Sequence, residues 1–175
     1  HDPVERESPL AATLVVSTLA TDAMDYAVRK AVELGAAAIL PVVAARSQGG
    51  LRGDRRVEHW RKIAVAACEQ CGRNRVPPVE LPQPLGAWLA TRDVSKPGVV
   101  LAPGGEATLA VAGAVDAIDV LVGPEGGFDE AEIAAAQKEG LRAVSMGPRL
   151  MKAETACVAA LVALGRQSHL PGMRA

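Results

Sequence analysis

Three apolar runs in this chain each end in a glycine- and proline-rich turn, and this pattern restricts its folding more than any other feature. Ile118–Val122 leads into Gly123-Pro124-Glu125-Gly126-Gly127-Phe128, and Ala143-Val144-Ser145 leads into Met146-Gly147-Pro148-Arg149. Earlier in the chain, Gly98–Ala102 leads into Pro103-Gly104-Gly105-Glu106. Short apolar runs bounded by turn residues read as buried strands. In an open α/β sheet, ligands sit beyond the carboxyl ends of the strands, where glycine lets the backbone come close to them. On neighbouring strands the first two turns would form one pocket, to which the third adds a wall. Val120–Ala156 is therefore the expected centre of the molecule.

The rest of the chain alternates in the same way. Thr13–Ser17 is a β-branched strand, Thr21-Asp22 signals the N-cap of a helix reaching Leu34, and Ala37–Val43 is a second strand. Arg46–Gly53 is a glycine-rich loop. Asp54 caps a long helix over Arg55–Gln70, whose apolar face runs through Val57, Trp60, Ile63, Ala64, Ala67 and Cys71. Pro77–Leu81 is a candidate short strand, and Pro84–Thr91 a short helix with Trp88 and Leu89 inward. Ala107–Ala114 and Asp129–Glu139 read as helices, Arg142–Ser145 as a strand and Glu154–Arg166 as a final apolar helix. Six or so strands alternating with helices predict an α/β fold, a mainly parallel sheet flanked by helices, in a single domain over residues 1–175. His1–Pro9 is polar and expected to fray.

Aromatic residues make up only 2% of the 175, so a base-stacking platform of several rings is not expected. The net charge of −1 is uninformative, but its distribution is not. Arg46, Arg52, Arg55, Arg56, Arg61, Lys62, Arg73 and Arg75 crowd a segment whose only acids are Asp54, Glu58 and Glu69. This is either a phosphate-facing surface or a solvated helix face with i,i+4 pairing. Three cysteines, no signal peptide and no apolar run near 18 residues point to the cytoplasm and to no membrane span.

Other patterns have plainer readings. Cys68-Glu69-Gln70-Cys71 matches C-x-x-C, yet it lies at the end of a helix, where a redox pair would open one. No second C-x-x-C and no paired histidines complete a metal site, so no metal is expected. Gly123–Gly127 lacks the lysine and hydroxyl of a nucleotide-triphosphate loop. Glu154 and Thr155 open the last helix, where they either cap it or face the pocket.

These residues carry a specific resemblance. Leu121-Val122-Gly123-Pro124-Glu125-Gly126-Gly127-Phe128, followed by Met146-Gly147-Pro148-Arg149-Leu150-Met151-Lys152-Ala153-Glu154-Thr155-Ala156, resembles the carboxyl-terminal signature of the RsmE methyltransferases. These enzymes methylate N3 of a uridine in small-subunit (16S) ribosomal RNA and belong to the SPOUT, or trefoil-knot, superfamily. Lys30-Ala31-Val32-Glu33-Leu34-Gly35 and Ala67–Pro77 agree as well, so the resemblance extends from about Asp22 to Gly165.

The resemblance implies a homodimer, a carboxyl-terminal trefoil knot, and S-adenosylmethionine held by the three turns. On the first wall the cofactor residues would be Leu101, Ala102 and Pro103. On the second they would be Leu121, Gly123, Pro124, Glu125, Gly126 and Gly127. The third would supply Ser145, Met146, Gly147, Leu150, Met151, Ala153 and Ala156. Lys30, Glu33, Arg46, Glu69, Arg73 and Arg75 are the implied contacts to substrate RNA. Family members usually carry an amino-terminal RNA-binding β-barrel, which the residues before Thr13 are too few to form. Met151-Lys152 also stands where the family commonly has Leu-Arg, which keeps a charge but loses a bidentate fork.

Methyl transfer from a sulfonium is an in-line displacement, and uridine N3 must lose its proton to become nucleophilic. Arg149 is the candidate for stabilising the resulting anion and Glu154 for base or orienter. The plainer alternatives are that Arg149 caps carbonyls at the turn and Glu154 caps the helix. A rival reading is a non-catalytic α/β module binding a small anion or nucleotide as a regulatory dimer.

Overall fold

A computed structural model describes residues 4–51, 54–105, 107–109 and 115–168. The elements run β1 (Ala11–Ser17), α1 (Thr21–Glu33), β2 (Ala38–Val43), α2 (Asp54–Cys71), β3 (Gln83–Pro84) and α3 (Leu85–Thr91). They continue with β4 (Gly98–Leu101), β5 (Ala107–Thr108), β6 (Ala117–Val122), α4 (Glu130–Lys138), β7 (Leu141–Ser145) and α5 (Ala153–Ser168). The seven strands form one sheet in the order β3-β2-β1-β6-β4-β7-β5, and every pairing is parallel. The α/β expectation holds.

The sheet is buried on both faces, which is why its strands read as continuous apolar runs. Along β1, Leu14 and Val16 join a core with α1, α2 and α5, while Val15 joins a second core with Trp88 and Leu89 of α3 and Ala136 of α4. Both tryptophans are consumed in these cores.

Four expectations change. The turns after β6 and β7 are not on neighbouring strands, because β4 lies between them. The proposed strand at Pro77–Leu81 reduces to a single bridge between Val79 and Ile39, with β3 following at Gln83. Pro77, Pro78, Pro82 and Pro84 lack the N–H that a longer ladder requires. Ala107-Thr108, expected to open a helix, instead pairs with Val144 and Ser145 at the sheet edge. The rest of that expected helix, residues 110–114, lies outside the described residues. Finally, Thr21 is the first helical residue rather than the cap; the cap position is Ala20, with no side-chain bond of its own.

Of the residues expected to fray, 4–9 lie against the domain. The Arg6 stem covers Gly72, Ser8 covers Gly35, and Glu7 forms an ion pair with Arg73. At the amino ends of the central strands, buried Asp119 faces Lys96 at 2.5 Å and Arg92 at 3.4 Å. Lys96 also donates to Thr13 of β1. No helix among the described residues is long and apolar enough to cross a membrane.

Candidate functional site

The three glycine turns leave adjacent strands in the order β6, β4, β7, and together they enclose a cleft of about 690 Å³ at the carboxyl ends. Two walls touch through bare backbone. Ala102 N–H donates to Val144 C=O at 3.0 Å, and a Cβ on Gly105 would stand 2.7 Å from the Val144 carbonyl carbon. No other residue type fits there without moving β7.

Each turn is locked locally. After β6, Gly127 N–H donates to Pro124 C=O at 2.8 Å, with Gly127 at φ +69°, a conformation that favours glycine. After β7, the Ser145 hydroxyl accepts from Gly147 N–H at 3.2 Å, and Gly147 sits at φ +103°. Asp129 then caps α4 through a complete capping box, with Glu132 N–H donating to Asp129 Oδ1 and Asp129 N–H donating to Glu132 Oε2.

Longer-range side chains hold the turn after β6 in place. Glu125 Oε1 accepts from Ala20 N–H at 3.1 Å, which sets a carboxylate at the amino end of α1 and explains why that helix needs no cap of its own. Arg46 donates from Nη1 to the Gly126 carbonyl at 2.8 Å. Glu132 Oε1, its other oxygen being used in the capping box, accepts from Ala45 N–H at 2.8 Å.

The candidate cofactor residues come together, with one exception. Leu101–Pro103, Gly123–Gly127, Ser145–Gly147, Leu150, Met151, Ala153 and Ala156 all line the cleft. Leu121 does not: it points to the opposite face of the sheet, into the core with α3 and α4, and Val122 takes its place in the lining. Strand alternation carries this signal, since adjacent residues cannot both face the cleft. Gly104, Val144 and Pro148 also line the cleft.

Arg149 lines the cleft, is exposed, and among the described residues has no hydrogen-bond or ion-pair partner. Glu154 is not in the lining; it sits in the first turn of α5, where its charge suits the helix amino end.

The candidate RNA residues differ in exposure and in partners. The Arg73 side chain is 5% exposed, pairs with Glu7, and donates to the carbonyls of Val32 and Ala36 at 3.0 Å each. Its charge thus ties the ends of α1 and α2 to the amino-terminal segment. Lys30 pairs with Glu33 at 2.7 Å, Arg75 lies 3.9 Å from Glu5, and Glu69 is exposed on α2. Arg55, Arg56 and Lys62 are exposed on α2, Arg46 is exposed beside the cleft, and Arg52 lies outside the described residues. The cysteines are free thiols: Cys68 and Cys157 are buried and Cys71 is half-buried. Among the described residues no group of three His, Cys, Asp or Glu is placed to hold a metal ion.

Comparison with known proteins adds family relationships to this geometry. The RNA methyltransferase domain family matches residues 6–165. The chain is similar to a ribosomal RNA small subunit methyltransferase E from Neisseria gonorrhoeae, whose crystal structure was determined bound to S-adenosyl methionine. The identity is 36% and the TM-score 0.89, over 94% of this chain and 69% of that one. Ribosomal RNA small subunit methyltransferase E of Bacillus subtilis is 31% identical over 94% of this chain and 69% of its own length. The protein of the same name from Buchnera aphidicola is 30% identical over 90% of this chain and 66% of its own. The chain spans about two thirds of the length of these relatives.

Proposed function

Because the chain belongs to the RNA methyltransferase family that includes ribosomal RNA small subunit methyltransferase E, we propose that it transfers a methyl group from S-adenosylmethionine to N3 of a uridine in small-subunit ribosomal RNA. The observation that carries this reading is the cleft enclosed by three glycine turns at the carboxyl ends of β6, β4 and β7. Its volume lies in the range of cofactor-sized sites. Leu101, Val122, Met146, Leu150 and Ala153 offer apolar surface to an adenosine ring system, and the glycine turns offer peptide groups to its polar edges.

When bound, S-adenosylmethionine supplies an electrophilic methyl group on a sulfonium sulfur. The residues of the chain orient the donor and the base. Arg149, at the cleft and without a partner among the described residues, stabilises the negative charge that develops on the uracil carbonyl oxygens as N3 loses its proton to solvent. Glu154 supports α5 and through it the position of Ala153 and Ala156. Lys152, exposed at the entrance to α5, adds positive charge near the phosphate backbone.

The path of the chain supports a threaded carboxyl terminus. β7 lies between β4 and β5, yet α5 packs back on α1, β6 and β1, and residues 148–152 border the same cleft as the loop after β4. A second copy of the chain would cover exposed apolar residues around α5, including Leu150 at 84% and Val162 at 41% exposure. The enzyme acts in the cytoplasm, where ribosomal RNA is modified.

Calorimetric titration with S-adenosylmethionine, followed by nucleoside analysis of small-subunit RNA after incubation, tests the reading. Saturable heat and appearance of 3-methyluridine are expected. No heat and no thermal shift with the donor would overturn the proposal, and binding without turnover would favour the non-catalytic module.

A further inference from the structure

The turn Gly123–Gly127 is three-fifths glycine; Glu125 ties one side of it to Ala20 N–H, but Gly126 and Gly127 have no side chains to fix their own backbone. Arg46, 80 residues away, lies over it. A Cβ added to Gly126 would come within 3.2 Å of Arg46 Cδ and 3.4 Å of Arg46 Cβ, so the arginine stem fills the space above that glycine. The guanidinium then holds the Gly126 carbonyl at 2.8 Å. The loop presenting Arg46 is itself anchored from both sides: Ala44 N–H donates to the Ser47 hydroxyl at 2.9 Å, and Ala45 N–H donates to Glu132. Glu132 also completes the capping box with Asp129, only two residues beyond Gly127. The bracket is closed: Arg46 grips the middle of the turn, and Glu132 grips the loop that carries Arg46.

We infer that Arg46 is a positioning residue for cofactor binding, holding the Gly123–Gly127 turn in its binding conformation through the Gly126 carbonyl. The inference rests on the cofactor reading of the cleft. Physically, a glycine-rich turn has much conformational freedom to lose, and a ligand that must order it binds more weakly than one meeting a turn already ordered. This differs from the role of a phosphate ligand, which the exposed position and charge of Arg46 would equally suggest. A phosphate ligand affects RNA binding alone; a brace on the turn affects the methyl donor when no RNA is present.

The test is calorimetric titration of S-adenosylmethionine into the parent chain, Arg46→Ala, Arg46→Lys, Gly126→Ala and the double variant, all without RNA. Arg46→Ala is expected to weaken binding about five- to tenfold, the range for losing one typical hydrogen bond. Its melting temperature without ligand should stay within about a degree of the parent, since Arg46 is exposed. Arg46→Lys, which keeps the stem and a donor, should recover part of the affinity. Gly126→Ala, which pushes the stem away, should weaken binding too, and the double variant should be no worse than the weaker single one, as expected for two changes to one contact. If the parent binds the donor and Arg46→Ala binds it equally well, or if the two losses add, the inference is overturned while the cofactor reading stands. If the parent gives no heat, the cofactor reading falls and the inference falls with it.

Discussion

Gly105 and Val144 meet backbone to backbone, with room for no Cβ between them: one would lie 2.7 Å from the Val144 carbonyl carbon and 2.9 Å from Val144 Cα. The contact joins the loop after β4 to the end of β7, two walls of the same cleft. Gly105→Ala must part them. Overpacking of this kind costs about 1–3 kcal/mol. We expect a lower melting temperature and at least a tenfold loss in affinity for S-adenosylmethionine, read by thermal denaturation and calorimetry.

Among the described residues Arg149 has no hydrogen-bond or ion-pair partner. Arg149→Ala should therefore leave the melting temperature unchanged. Loss of a donor aimed at developing charge typically lowers kcat about 10²- to 10³-fold, and single-turnover methylation of small-subunit RNA should show a fall of that order. Arg149→Lys should restore part of the rate. Unaltered turnover in Arg149→Ala would remove it from the chemistry.

Arg73 and Glu7 form a largely buried pair. The hydrogen bond and charge of Arg73 hold the Glu7 carboxyl below its ordinary value near 4.5. Because the folded carboxyl releases its proton more readily than the unfolded one, the pair adds stability above that value, and the contribution is lost as pH falls through the lower folded one. Glu7→Gln should lower the melting temperature at pH 7 and converge with the parent as pH falls through the lowered folded value. Arg73→Ala, which strands a buried carboxylate, should cost about 3 kcal/mol in denaturant unfolding at pH 7.

Burial pushes the Cys157 thiol up to about 12 and raises Cys68 as well. Since the thiolate is the reactive form, neither should react with a thiol reagent at pH 8 while the protein is folded. Cys71, half-buried, should be the one that does. Titration with a chromogenic disulfide should give a single fast thiol in the native state and three in denaturant. Fewer than three in denaturant without reductant would reveal a disulfide between Cys68 and Cys71.

Local signals made much of the fold readable before the structure. The helix opening at Asp129, the apolar stripe through Val57, Trp60, Ala64 and Ala67, and the β-branched runs of β1 and β6 each express a short-range rule, and each stands where the rule puts it. Ala107-Thr108 fails for the complementary reason. Its composition favours a helix, but the free edge of β7 offers Val144 and Ser145 as ladder partners, and tertiary pairing overrides propensity. Arg73 sits in a basic stretch like its neighbours, and only its proximity to Glu7, Val32 and Ala36 separates a buried clamp from a surface charge.

The amino-acid order alone determined that three strands end in glycine turns, that the sheet is parallel and covered on both faces, and that the turn residues belong to an RNA methyltransferase signature. Periodicity, capping and backbone sterics act within a few residues, so a linear chain displays them. The tertiary structure decided what depends on distant pairs: that β4 inserts between β6 and β7, that Val122 rather than Leu121 faces the cleft, and that Arg46 and Glu125 hold the central turn across 80 and 105 residues. Those contacts depend on strand order and register, which are set by long-range burial and hydrogen bonding.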